Sequence, residues 1–113
     1  MINDYRFGQM KIDGREHRRD LKIIKGRVKA NWWRKEDHRL AREDIDDILS
    51  AYPDILVVGT GESGNMRVEE SLRSALKEQG IEVTAERTGE AVKTFNRLES
   101  EGRDVAGAFH LTC

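Results

Sequence analysis

Asp54-Ile55-Leu56-Val57-Val58-Gly59-Thr60-Gly61-Glu62-Ser63-Gly64 is the stretch on which the reading of the fold turns. Ile55 to Val58 is a continuous apolar and largely β-branched run, the pattern of a strand covered on both faces. The glycine loop Gly59 to Gly64 follows, and a helix is expected to start after it, near Asn65. Val68, Leu72, Ala75 and Leu76 fall on one face of that helix, and Gly80 suits the position just past its end. Ile81 to Glu86 then alternates as a strand. Thr88 is a candidate N-cap for a third helix that turns Val92, Phe95 and Leu98 inward, with Gly102 beyond its end. Val105 to Phe109 is the last strand. Strand, helix, strand, helix, strand over residues 54–113 predicts a βαβαβ core with two right-handed crossovers and three parallel strands.

Upstream of that core the pattern changes. Residues 1–40 read as antiparallel β-hairpins. Tyr5-Arg6-Phe7 and Met10-Lys11-Ile12 flank Gly8, and Asp13-Gly14 is a strong hairpin turn. Leu21, Ile23 and Ile24 form a third run, ended by Gly26. Val28, Ala30 and Trp32 alternate with polar residues, so Trp32-Trp33 are expected to close the β region. Residues 41–53 predict one helix, with Ile45, Ile48, Leu49 and Tyr52 on a buried stripe and Pro53 as its stop. Glu43, Asp44, Asp46 and Asp47 crowd its first turns, where a helix dipole favours acids. The expected architecture is a single three-layer α/β domain with a mixed central sheet.

A chain of 113 residues has room for one such domain. The single cysteine, Cys113, cannot form an internal disulfide, and the N-terminus lacks the order of a signal peptide, so a cytoplasmic setting is expected. No apolar run is long enough to span a bilayer, and no membrane insertion is expected. Charged residues make up 36% of the chain, yet the formal net charge is −1. This balance argues against bulk nucleic-acid binding, although Arg15 to Lys29 is locally basic.

Gly59-Thr60-Gly61-Glu62-Ser63-Gly64 matches the dinucleotide fingerprint G-x-G-x-x-G, and Glu86 stands where its ribose acid would. Three parallel strands are too few for two mononucleotide halves, the third glycine falls in the loop, and Glu62, Glu69 and Glu70 oppose phosphate. A tight turn accounts for the glycines without a cofactor. No Gly-Lys-Ser/Thr follows, which excludes Walker A. Ligands of parallel sheets bind beyond the carboxyl ends of the strands. The candidate ligand pocket there comprises Gly59, Thr60, Gly61, Ser63, Thr88 and His110, suited to a small anion.

His110 and Cys113 lie close together, but Cys113 carries the terminal carboxylate, and a small apolar plug closing the last strand is the simpler role. His17, His38, His110 and Cys113 lack the spacing of a zinc site, so no metal is expected. Neighbouring tryptophans on a strand would face opposite ways. Trp33, with Arg34 and His38, is therefore a candidate partner or anion contact, while Arg34 has Glu36 and Asp37 as alternative partners. No catalytic residue and no cofactor is assigned.

Phe7-Gly8, Asp20, Trp32-Trp33-Arg34, His38, Gly59-Thr60-Gly61, Thr88 with Glu90-Ala91, Asn96 and the ending Ala108-Phe109-His110-Leu111-Thr112-Cys113 carry a resemblance. Over essentially its full length the chain resembles the small family that includes the adipogenesis-associated domain proteins and mitochondrial complex I assembly factor 3. The resemblance implies a three-layer α/β fold with N-terminal hairpins, no established enzymatic activity and a pocket near the glycine loop. Arg87 departs from the proline that many members carry before the threonine. No mitochondrial leader precedes Met1, so a prokaryotic, cytoplasmic member is expected. A non-catalytic binding or assembly-accessory domain with protein partners is the leading expectation. A small-anion or metabolite binder, or an enzyme built on Gly59–Gly64 and His110, is the alternative.

Overall fold

Every residue from Ile55 to Gly61 is buried, because the strand at this position is covered on both faces. The computed structural model describes residues 1–113. Five short strands come first: β1 (Ile2–Arg6), β2 (Gln9–Ile12), β3 (Arg15–His17), β4 (Leu21–Ile24) and β5 (Arg27–Lys29). A two-residue strand β6 (Arg39–Leu40), a 3₁₀ turn (Arg42–Ile45) and α1 (Asp46–Ala51) follow. The remainder runs β7 (Ile55–Thr60), β8 (Arg67–Val68), α2 (Glu70–Glu78), β9 (Glu82–Glu86), α3 (Thr88–Ser100) and β10 (Val105–His110).

The central sheet has the order β5-β4-β10-β7-β9. Parallel pairs join β10 to β7 and β7 to β9, whereas β4 runs antiparallel to β10 and β5 antiparallel to β4. The sheet is therefore mixed, as expected. Alternation along β7 sorts its side chains. Leu56 and Val58 join the core beneath α1 and α2, while Ile55 and Val57 join the core beneath α3 and the three-stranded sheet β1-β2-β3. Leu56, Val57 and Val58 have no exposure at all, and full burial of such a side chain is worth about 1.5–3 kcal/mol. Phe109 lies across Gly107 and meets Phe95 of α3 edge-on at 5.7 Å between ring centroids.

The structure redraws four local expectations. Trp32 and Trp33 follow β5 rather than ending a strand, because Asn31 takes a positive φ of 55° and turns the chain. Tyr52 leaves the buried stripe: it is a left-handed C-cap (φ 54°) and is exposed. Val68 belongs to β8, and the second helix begins only at Glu70. The segment after the glycine loop pairs first with β6, through Arg67 N–H to His38 O (2.9 Å) and Glu69 N–H to Leu40 O (3.0 Å). Thr88 is the first residue of α3 and does not cap it. The N-cap is Arg87, and the Thr88 hydroxyl is engaged elsewhere.

Asp44 has a structural role that its place in an acidic run conceals. Its carboxylate is buried and accepts from the Lys35 N–H (3.1 Å) and the Ala41 N–H (2.9 Å), and its carbonyl accepts from Trp32 Nε1 (3.0 Å). One acid thus holds both ends of the loop that carries Arg34 and His38. No helix is long and apolar enough to cross a membrane.

Candidate functional site

Antiparallel register builds the centre of the site. Phe109 pairs with Leu21 and Ala108 with Lys22, so one further step sets Asp20 opposite His110. The Trp32 N–H donates to Asp20 O (2.8 Å), which brings the Trp32-Trp33-Arg34 turn to the same place. His110 Nδ1 lies 2.8 Å from Asp20 Oδ2, and Arg34 Nη2 also lies 2.8 Å from that oxygen. The Leu111 N–H donates to Asp20 Oδ1 at 2.8 Å. Arg34 is further held by Nε donating to Asp37 O (2.9 Å) and by lying on the Trp32 ring, 4.7 Å from its centroid.

Arg34 Nη2 and His110 Nδ1 are 3.1 Å apart, yet no hydrogen bond joins them. An ionised carboxylate only accepts, and a guanidinium only donates. Both nitrogens are donors to Asp20, and their closeness follows from the shared acceptor. Burial works against the Asp20 charge. The hydrogen bonds from His110, Leu111 and Arg34 outweigh it and hold the carboxyl below its usual range. Proton placement follows: Nδ1 carries the hydrogen, so Nε2 is the ring nitrogen left free of Asp20.

His110 Nε2 and Arg34 Nη1 are both buried without a hydrogen-bond partner in the protein. The Arg34 side chain is 2% exposed and that of His110 6%. Both residues line one hollow of about 330 Å³, together with Arg18, Arg19, Asp20, Trp32, Trp33, Asp37, His38, Thr112 and Cys113. The His38 ring meets His110 edge-on, with centroids 5.5 Å apart.

Two candidate groups are thereby separated. Trp33, Arg34 and His38 gather around His110, as members of one hollow. Gly59, Thr60, Gly61, Ser63 and Thr88 do not line it. The Thr88 hydroxyl donates to His110 O (2.6 Å) and accepts from the Gly61 N–H (2.9 Å). Thr60 Oγ1 donates to Glu86 O (3.0 Å), and Ser63 is exposed. The segment Leu111–Cys113 lies across the glycine loop, with the Glu62 N–H donating to Thr112 O (2.6 Å) and the Asn65 N–H to Cys113 O (3.1 Å). A dinucleotide cradle needs these amides free and a helix at once behind them. Here the amides are engaged and a strand intervenes. Cys113 itself is exposed and does not plug the last strand; Leu111, fully buried, closes it.

The tail is also tied from the hairpin side. The Gly8 N–H and the Tyr5 hydroxyl both donate to Leu111 O, at 2.7 and 3.1 Å. Burial pushes the Tyr5 phenol upward, and the nearby Glu62 and Asp20 carboxylates add to this, so it stays a neutral donor. Removing only the Thr88 hydroxyl tests the knot beneath. Thr88→Val keeps the shape but leaves the Gly61 N–H and the His110 carbonyl without their partner. A loss of about 2 kcal/mol in urea unfolding is expected, and a loss below about 0.5 kcal/mol would show that Thr88 does not hold the loop to the strand.

Arg18, Arg19, Asp37 and Thr112 went unrecognised as lining residues. Asp20 entered only among the residues of the resemblance, although a lone acid between the basic Arg18-Arg19 pair and the Leu21 strand is a visible signal.

Solved structures agree with this fold over its whole length. The conserved hypothetical protein PH1505 from Pyrococcus horikoshii is 28% identical with a TM-score of 0.85, covering 100% of this chain and 99% of that one. The protein MT938 is 29% identical with a TM-score of 0.82, covering 100% and 98%. A protein of Bartonella henselae described as an outer membrane protein is 29% identical, also with a TM-score of 0.82, covering 99% and 94%. Residues 2–110 match the family described as protein of unknown function (DUF498/DUF598). Sequence and fold thus lead to one assignment: the chain belongs to the DUF498/DUF598 family.

Proposed function

We propose that this protein is a non-catalytic binding domain that captures a small oxyanion, a carboxylate or a phosphate, in the hollow between Trp33, Arg34, His38 and His110. One observation carries the reading: Arg34 and His110 both line the hollow, and each holds a buried nitrogen, Nη1 and Nε2, that has no partner in the protein. A buried guanidinium N–H left without a partner costs about 1–3 kcal/mol, which an oxyanion accepting from Arg34 would return. His110 Nε2, the acceptor nitrogen of this tautomer, accepts only from an oxygen that carries a hydrogen. Arg18 and Arg19 at the rim add positive charge. No nucleophile is hydrogen-bonded to His110, whose donor nitrogen is committed to Asp20. That absence of an oriented nucleophile favours capture over chemistry.

The resemblance to complex I assembly factor 3 supports an accessory role, in which the anion belongs to a partner protein. A free metabolite would present the same chemistry. Thermal unfolding in phosphate or acetate, against chloride at equal ionic strength, tests the site itself. A rise of about 5 °C is expected at ten times the dissociation constant. Arg34→Lys should abolish the rise, since a lysine has no second nitrogen to place in the hollow. If neither anion stabilises the protein beyond chloride, the proposal fails. Pulldown with Trp33→Ala and Arg34→Lys separates the sources: a partner-borne anion loses its partner, whereas a metabolite site leaves the pulldown unchanged.

A further inference from the structure

The two adjacent tryptophans have unlike surroundings, and the difference points to the body of the ligand. Trp32 is buried, its Nε1 donates to Asp44 O, and its ring carries Arg34. Trp33 is 70% exposed, the largest exposure among the big apolar side chains, and stands in the wall of the same hollow. The guanidinium of exposed Arg19 lies over its ring, 5.5 Å from the centroid. A hollow of about 330 Å³ has room for about ten non-hydrogen atoms at the volume each water takes in the liquid. A carboxylate or phosphate group fills less than half of that. The remaining space adjoins an indole face, which prefers an offset-stacked ring to an aliphatic chain.

Resting on the oxyanion reading above, we propose that the ligand is an aromatic oxyanion, an aryl carboxylate or aryl phosphate. Its acidic group docks on the Arg34 guanidinium beside His110, and its ring stacks on Trp33. Arg19 is placed to swing from the indole onto the far face of the ligand ring, or to pair with its charge. Trp33 is then a specificity residue, and Arg34 an affinity residue common to every oxyanion.

Calorimetric titration with benzoate against acetate, and with phenyl phosphate against inorganic phosphate, tests this. The aryl member of each pair should bind about tenfold tighter and quench the Trp33 fluorescence. Benzamide, which keeps the ring and loses the charge, should bind far more weakly than benzoate. Trp33→Ala, at an exposed position, should remove the tenfold advantage within each pair. Equal binding within each pair overturns the aromatic inference and leaves the oxyanion site standing. An advantage that survives in Trp33→Ala also overturns it, since the ring would then lie elsewhere. Failure of all four anions to bind overturns both.

Discussion

Asp20→Ala is expected to lower the unfolding free energy by about 3–5 kcal/mol at pH 7, the range for breaking a buried charged pair from one side. Three donors converge on this carboxylate: His110 Nδ1 and Arg34 Nη2 on one oxygen, the Leu111 N–H on the other. With the acceptor gone, the Arg34 guanidinium keeps only Asp37 O and the Trp32 ring, and two further N–H groups lose their bonds. Asp20 is 16% exposed and Arg34 2%, so solvent does little to soften the loss. The pH dependence follows from the lowered Asp20 pKa. A carboxyl whose folded pKa is depressed contributes its stability in full above the unfolded value, near pH 4. That contribution declines as pH falls below this value and is lost once pH passes the folded one. Urea unfolding of both proteins from pH 7 down to acid should therefore show the gap narrowing only at the acid end. A gap under about 1 kcal/mol at pH 7, or one that does not narrow, would remove Asp20 from the centre of the site.

Gly61→Ala should cost about 3 kcal/mol, for two separate reasons. Gly61 has φ +106°, a conformation that side chains rarely adopt. An added Cβ would also lie 2.2 Å from the Cys113 carbonyl carbon and 2.9 Å from His110 Cδ2. Neither neighbour is the free end of a flexible side chain. The tail must move, and the Glu62–Thr112 and Asn65–Cys113 backbone bonds go with it. Gly89→Ala is the control. It lies in the first turn of α3 with nothing within 4 Å of its Cβ, and it should be neutral or stabilising by up to about 1 kcal/mol. Thermal unfolding, with amide shifts of Leu111 to Cys113 as a local readout, checks both. Similar results for the two variants would refute the packing of the tail on Gly61. Displacing the tail would also disturb the hollow, because Thr112 and Cys113 form part of its wall.

Taken residue by residue, most of the core was open to reading from the chain alone. Ile55 to Val58, Leu72 with Leu76, Phe95 with Leu98 and the run from Val105 are local patterns, and burial favours them wherever the chain places a sheet. The same holds for Gly80 and Gly102, whose positive φ ends each helix. Asn31 and Tyr52 escaped it. A left-handed backbone at a residue other than glycine follows from its neighbours and leaves little trace in its own identity.

The candidate site divides in the same way. Trp33, Arg34, His38 and His110 could be singled out by type, and the glycine loop by its motif. Their relations could not. Gly59 to Gly64 has the letters of a phosphate cradle, but its amides are engaged by Thr88, Thr112 and Cys113, contacts made across 27 to 50 or so residues of chain. Asp20 meets His110 across 90 residues because of one antiparallel register between β4 and β10. By itself the sequence determined the main elements of the βαβαβ core, their order and the residue types available, since periodicity and turn chemistry act within a few residues, while the short β6–β8 pair escaped it. The tertiary structure alone decided which side chains share an acceptor, which polar atoms are left without partners and which loop is closed. Those outcomes depend on strand register and on where the tail packs, and neither is encoded near the residues it joins.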